Sequence, residues 1–190
     1  MKSFFYYGTM NSSKSAQLLM AGHNYESSGK DVIYIKPALD TRSEKITSRI
    51  GAEHEADYII TDDYFDRANA LSNIVLDSLT VSAIFIDEAQ FLPPSFIREL
   101  LTRLEDTNVS ILFYGLLKDF RGHIFDTSKV LLEEVDDIRE IKTVCHYCDN
   151  KATFNLRTVD GQPVYTGEQL KIGDTDYLSV CRRHYYYPAI

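Results

Sequence analysis

Gly8-Thr9-Met10-Asn11-Ser12-Ser13-Lys14-Ser15 lies between a short aromatic run and an amphipathic stretch. The spacing is that of a phosphate-binding loop, G-x-x-x-x-G-K-[ST]. In such a loop backbone N–H groups surround a phosphate, the lysine neutralises charge and the final hydroxyl binds Mg2+. A helix that starts at the loop adds a favourable dipole. Every fixed position matches except the second glycine, which is Ser13. With serine there, the segment taken alone also reads as a polar turn capping a helix.

Ala83-Ile84-Phe85-Ile86-Asp87-Glu88 is an apolar run that delivers two carboxylates at its end. Open α/β sheets place ligands at the C-terminal ends of their strands. An aspartate in this position orients Mg2+ in phosphate-loop enzymes, and an adjacent glutamate can polarise an attacking hydroxyl or water. Two exposed acids ending a strand are common alone; downstream of a phosphate loop they point to a nucleotide site.

A second chemistry is metal binding. Cys145-His146-Tyr147-Cys148 and Cys181-Arg182-Arg183-His184 form a C-x2-C … C-x2-H pattern. Cys145, Cys148, Cys181 and His184 supply four ligands for one tetrahedral Zn2+, closed and therefore structural. His146 lies inside the first knuckle, where a turn points the intervening side chains away. A metal here would tie residues 145–184 together and compensate for a small apolar core.

The elements that must position these residues alternate as in a mostly parallel sheet covered by helices. Strands are expected at Ser3–Tyr7, Asp31–Lys36, Tyr58–Thr61, Ala83–Ile86, Val109–Tyr114 and Ile138–Lys142. Helices are expected over Ser15–Ser27, Tyr64–Leu79, Pro93 to about Glu105, and Thr127–Val135. The first helix shows Ala16, Leu19, Met20 and His23 at three- and four-residue spacing. The polar stretch Asp40–Ala56 reads as a loop. After residue 142 the composition shifts to Gly, Thr, Tyr, Asp and Cys, which places a domain boundary near residue 143 and divides the chain into 1–142 and 143–190.

Of the 190 residues, 44% are hydrophobic and 25% charged, a globular composition. Lys and Arg total 20 against 28 Asp and Glu, for a net charge of −8. That surface repels phosphate backbones and anionic lipid, so neither nucleic acid nor a membrane is expected as a partner. A small anion held by backbone dipoles needs no global positive charge. No apolar run approaches the ~18 residues of a membrane span, and Met1–Tyr7 stops at Gly8 without the apolar core of a signal peptide. The chain reads as cytoplasmic. Its three cysteines, all beyond residue 144, fit no complete disulfide framework.

Taken together, these residues resemble the type II thymidine kinases, and the resemblance covers nearly the whole chain. It includes Asp40-Thr41-Arg42, Ser48-Arg49-Ile50-Gly51, Asp87-Glu88-Ala89-Gln90-Phe91, Tyr114-Gly115-Leu116 and Asp119-Phe120-Arg121-Gly122. It continues through Lys151-Ala152-Thr153-Phe154-Asn155-Leu156-Arg157 and Ser179–Tyr185. The resemblance implies a phosphate-loop, RecA-like α/β fold with a small C-terminal zinc-ribbon and lasso domain. The implied reaction transfers the ATP γ-phosphoryl group to the 5′-hydroxyl of thymidine or deoxyuridine. Glu88 matches the general base, Asp87 and Ser15 the Mg2+ positions, and Lys14 the phosphate-loop lysine. Arg42 would stabilise charge on the transferring group, and Gln90 would join the nucleotide site. Leu116, Phe120, Phe125 and Tyr177 match pocket positions, and backbone groups of Lys171, Ile172 and Gly173 would hydrogen-bond the pyrimidine. A homotetramer and end-product inhibition by thymidine triphosphate are also family expectations.

The chain departs from the family pattern at Ser13, at Leu117, at His123-Ile124 and in a lasso, Ile172–Tyr177, that is one residue short. A non-catalytic nucleotide or nucleoside sensor on the same fold is the alternative that Ser13 and the lasso motivate. A zinc-ribbon ATPase acting on nucleic acid is disfavoured by the acidic total and the lack of a basic stripe.

Overall fold

A computed structural model describes residues 1–39, 44–167 and 176–188. Six strands form one sheet: β1 (Lys2–Gly8), β2 (Val32–Pro37), β5 (Tyr58–Ile60), β6 (Ala83–Ile86), β7 (Ser110–Leu116) and β8 (Asp137–Ile141), in the order β5-β2-β6-β7-β1-β8. All its pairings are parallel, so the sheet is wholly rather than mostly parallel. The connections carry helices α1 (Lys14–Ser27), α2 (Tyr64–Asp77), α3 (Pro94–Leu104) and α4 (Asp126–Glu134).

Alternation along the strands sends side chains to two cores. Phe5, Ile33, Ile35, Ile84, Ile86, Ile111 and Phe113 pack under α2, α3 and α4. Tyr34, Phe85, Leu112 and Tyr114 face the other way, onto Leu18 and Leu19 of α1. Parallel strands covered on both faces read as unbroken apolar runs such as AIFI, and all four residues of β6 are buried.

The buried stripe of α1 is Ala16, Leu18, Leu19 and Gly22, not the Ala16-Leu19-Met20-His23 face expected from the sequence. Met20 is 63% exposed. Gly22 explains the shift: a Cβ there would lie 2.0 Å from the Tyr34 hydroxyl, so the helix approaches β2 through a residue with no apolar side chain.

The expected loop at 40–56 is also different. Residues 44–56 contain a two-stranded antiparallel hairpin, β3 (Lys45–Thr47) and β4 (Glu53–Glu55). Ile46 is buried against the α1 side of the sheet, Gly51 takes φ +89° in the turn, and Lys45 reaches Glu53 at 2.7 Å across the strands. One buried isoleucine in a polar stretch is too sparse a pattern to announce a strand pair.

A second sheet holds β9 (Phe154–Val159), β10 (Gln162–Val164) and β11 (Asp176–Val180) in the order β10-β9-β11, followed by the short helix α5 (Arg182–Tyr186). Its core contains Phe154, Leu156, Val180 and Tyr185 together with Cys145 and Cys181. Among the described residues no helix is long and apolar enough to cross a membrane.

Candidate active site

β1 ends at Gly8 and α1 begins at Lys14, so residues 9–13 form the loop between a central strand and a helix N-terminus. Gly8 has no room for a side chain: a Cβ would lie 2.3 Å from Ser12 Oγ and 2.8 Å from the Ile141 carbonyl. Asn11 and Ser13 take left-handed backbone, with φ 61° and 63°. Ser13 therefore performs the conformational role of the missing glycine, and it is exposed, so its hydroxymethyl group does not crowd the loop. Holding an L-residue in this region costs about 1–2 kcal/mol. Ser13→Gly is accordingly expected to stabilise the fold by about 0.5–1 kcal/mol after the larger unfolded-state entropy of glycine is counted. Urea unfolding checks this, and a loss of stability would contradict it.

Lys14 is buried, and its Nζ donates to the Thr9 carbonyl at 2.8 Å, across the loop. Asp87 directly follows β6, which β7 separates from β1, and is also buried. Burial, and then the charge of Glu88 beside it, pushes its carboxyl up to about 7, against a hydrogen bond from Ser15 and the nearby charge of Lys14. Among the described residues, the buried side-chain atoms without a hydrogen-bond partner are Thr9 Oγ1, Ser12 Oγ, Asp87 Oδ1 and Arg157 Nε. Buried polar atoms are normally satisfied. Three of these four lie in the loop or at the end of β6, where a phosphate and its cation would satisfy them.

Glu88 is half-buried and itself left-handed, at φ 48°. That strained backbone turns the chain into a 3-10 turn, Ala89–Phe91, that the sequence did not announce. Gln90 Nε2 donates to Glu88 Oε2 at 2.6 Å, while Gln90 Oε1 accepts from the Leu116 N–H at 2.9 Å. Gly115 leaves space for that amide, since a Cβ there would lie 2.7 Å from Gln90 Oε1. The carboxylate is thus oriented by a side chain anchored to the end of β7.

Leu116, Phe120 and Phe125 are all buried on β7 and the segment leading to α4. Phe125 meets Phe91 edge-on at 5.8 Å, and Phe120 meets Tyr177 of β11 at 6.4 Å. Asp119 organises the segment: its Oδ1 accepts from the N–H groups of Arg121 and His123 at 2.9 and 3.0 Å. The structure thus places Tyr177 beside Phe120 although they are far apart in sequence. Arg42, Lys171, Ile172 and Gly173 lie outside the described residues.

Several residues here were not singled out from the sequence. Asn155 Oδ1 accepts from the Met10 N–H at 2.7 Å, and the Ser179 hydroxyl donates to the Met10 carbonyl. Arg157 is buried with its guanidinium 5.0 Å from the Phe120 ring centroid. The Tyr185 hydroxyl donates to the Phe120 carbonyl at 2.8 Å. A usable signal existed in Phe154-Asn155-Leu156-Arg157, where period-two alternation exposes a polar face to something other than solvent.

Cys145, Cys148, Cys181 and His184 converge with their ligand atoms all within 4.8 Å of one another. Cys145 Sγ and Cys181 Sγ lie 3.4 and 3.5 Å from His184 Nδ1, and the Cys148 and Cys181 sulfurs are 3.9 Å apart. A tetrahedral Zn2+ with Zn–S of about 2.3 Å and Zn–N of about 2.0 Å spaces its ligand atoms about 3.5–3.8 Å apart. The group fits a structural zinc, with Nδ1 as the imidazole donor. Cys148→Ser is expected to lower the zinc content from about one per chain towards zero and to raise protease sensitivity. Unchanged zinc stoichiometry by atomic emission would remove Cys148 from the ligand set.

A parallel sheet, a loop of phosphate-loop spacing opening onto a helix and a buried carboxylate at a nearby strand end have the arrangement of a nucleotide-binding α/β protein. The family model described as thymidine kinase matches residues 1–185. The chain belongs to the thymidine kinase family, and thymidine kinase activity with ATP as donor follows from that kinship. It is 44% identical over 191 residues to the thymidine kinase of Lactococcus lactis, covering 98% of each chain. It is 42% identical over 188 residues to that of Lactiplantibacillus plantarum, covering 97% of this chain and 95% of the relative. Streptococcus agalactiae has a thymidine kinase 43% identical over 190 residues, with 98% of each chain covered. Among solved structures, replication initiator DnaA bound to AMPPCP and single-stranded DNA matches with TM-score 0.44 and 15% identity over 75% of this chain and 40% of that one, too distant to inform activity.

Proposed function

We propose that phosphoryl transfer to thymidine runs through one cleft between the phosphate loop and the segment 116–125, with Glu88 at its centre. The orphaned Thr9 Oγ1, Ser12 Oγ and Asp87 Oδ1 support this reading most directly, because they are buried, polar and gathered where a nucleotide's phosphates would lie. Gly8 to Ser15 cradle those phosphates, and Lys14 supplies positive charge to them. Asp87 and Ser15, already in hydrogen-bond contact, are hard oxygen donors suited to Mg2+. When bound, that ion supplies charge neutralisation on the phosphate oxygens.

Glu88 accepts the proton of the nucleoside 5′-hydroxyl as the new O–P bond forms and the bond from the γ-phosphorus to the bridging oxygen breaks, releasing ADP. Gln90 holds Glu88 in place from within the nucleotide site. Leu116, Phe120, Phe125 and Tyr177 provide apolar and aromatic area for the base, with backbone groups of residues 171–173 reading its edge. Arg42 stabilises charge on the transferring group. Family membership supports the remainder: acceptance of deoxyuridine, inhibition by thymidine triphosphate, a homotetramer, a cytoplasmic setting, and two units divided at residues 142 and 143.

Calorimetric titration with ATP tests the site. Binding that requires Mg2+ and is lost in Lys14→Ala is the expected result; binding that survives Lys14→Ala would place the nucleotide elsewhere.

A further inference from the structure

One face of the small sheet reaches both the phosphate loop and the segment carrying Phe120. In β9, Phe154 and Leu156 turn into the core around the cysteines, so Asn155 and Arg157 point the opposite way. β11 pairs with β9 so that Ser179 lies opposite Asn155 and Tyr177 opposite Arg157. Paired residues share a face. These four side chains therefore form a single patch, and its contacts lead to the phosphate loop and to the segment carrying Phe120.

Asn155 touches both. Its Oδ1 accepts from the Met10 N–H at 2.7 Å, and its Nδ2 donates to the Lys118 carbonyl at 3.1 Å. It is 3% exposed, so water does not compete for either bond. A carboxamide places its acceptor and its donors on two separate atoms of one rigid group, whereas a hydroxyl has both roles on a single atom and an ionised carboxylate only accepts. Ser179 differs in one respect: its hydroxyl donates to the Met10 carbonyl, and no bond from it to the 116–125 segment is seen among the described residues.

We infer that Asn155 is a positioning residue that couples the two substrate sites, transmitting the arrangement of the phosphate loop to the nucleoside-binding segment through its amide. The inference rests on the assignment of ATP to residues 8–15 and of the nucleoside to residues 116–125. An arrangement of Met10 favoured by bound nucleotide fixes the amide, and the amide fixes the Lys118 carbonyl. Coupling of this kind is reciprocal, so each ligand tightens the other by the same factor.

The test titrates a non-hydrolysable ATP analogue with Mg2+, and thymidine, each alone and with the other saturating. The proteins are wild type, Asn155→Ala, Ser179→Ala and, as the control on the nucleotide site, Lys14→Ala, each checked for zinc content and melting transition. In wild type each ligand is expected to tighten the other by about fivefold or more, and in Asn155→Ala by no more than about twofold. Ser179→Ala loosens the same loop from the same sheet, so it weakens analogue binding but retains the wild-type coupling factor. If Asn155→Ala loses its zinc or its transition, Asn155→Ser is read in its place, because a hydroxyl cannot span both backbone groups. Absence of coupling in wild type, its survival in the Asn155 variant, or its equal loss in Ser179→Ala would overturn the inference. Wild-type analogue affinity that Lys14→Ala leaves unchanged would instead overturn the site assignment beneath it.

Discussion

Glu88→Gln is expected to lower kcat by roughly 10²–10⁴-fold while ATP affinity stays near that of wild type. The substitution keeps the size of the side chain and a carbonyl oxygen that can still accept from Gln90 Nε2, so the orientation of the group survives. The left-handed backbone at residue 88 is equally open to glutamine. What disappears is the ability to take a proton, the role proposed for Glu88 toward the nucleoside hydroxyl. Steady-state kinetics with thymidine varied at saturating ATP separates the two effects. A kcat near wild type would show that Glu88 is not the base.

Asp87→Asn has the second large effect, and it acts in opposite directions on activity and stability. Loss of a carboxylate from the proposed cation site is expected to reduce kcat on the order of 10²-fold or more. Stability follows from the sign of the carboxyl shift. The folded value, pushed up to about 7, lies above that of the unfolded chain, so the folded state binds more protons in between. The destabilising cost of the buried carboxylate is therefore absent at low pH and develops as pH rises from the ordinary carboxylate range through about 7. Without added Mg2+, Asp87→Asn should melt above wild type at pH 8, with the gap closing towards pH 4–5, where Asp87 is protonated in the folded protein. Equal melting temperatures at pH 8 would show that Asp87 carries no such burden.

The sheet and the cysteine–histidine cluster were legible because they depend on patterns that few alternatives share. Four apolar residues before Asp87-Glu88, and cysteines at C-x2-C spacing followed by C-x2-H, each have one economical structural reading. The misreadings have a common origin in contacts that leave no periodic trace. Gly22 faces Tyr34 but counts as neutral in an apolar pattern, so side-chain spacing alone turns the buried face of α1 towards Met20 and His23. Ile46 anchors a hairpin alone among charged residues. Ser13 looked like a defect in the phosphate loop, and only its left-handed, exposed conformation shows how serine serves there. Asn155 and Ser179 were least visible of all, because Met10 lies 145 and 169 residues away along the chain. Hydrogen bonds across such distances are a property of topology, which local spacing does not encode.

Phosphorylation of thymidine with ATP and Mg2+, comparing wild type with Lys14→Ala, tests the central claim most directly. Thymidine monophosphate formed by wild type and lost in Lys14→Ala is the expected result, and it would show that a loop with Ser13 in place of glycine supports transfer. No product from wild type, with ATP and thymidine both bound, would contradict the catalytic account and leave a nucleotide-binding protein on a kinase fold.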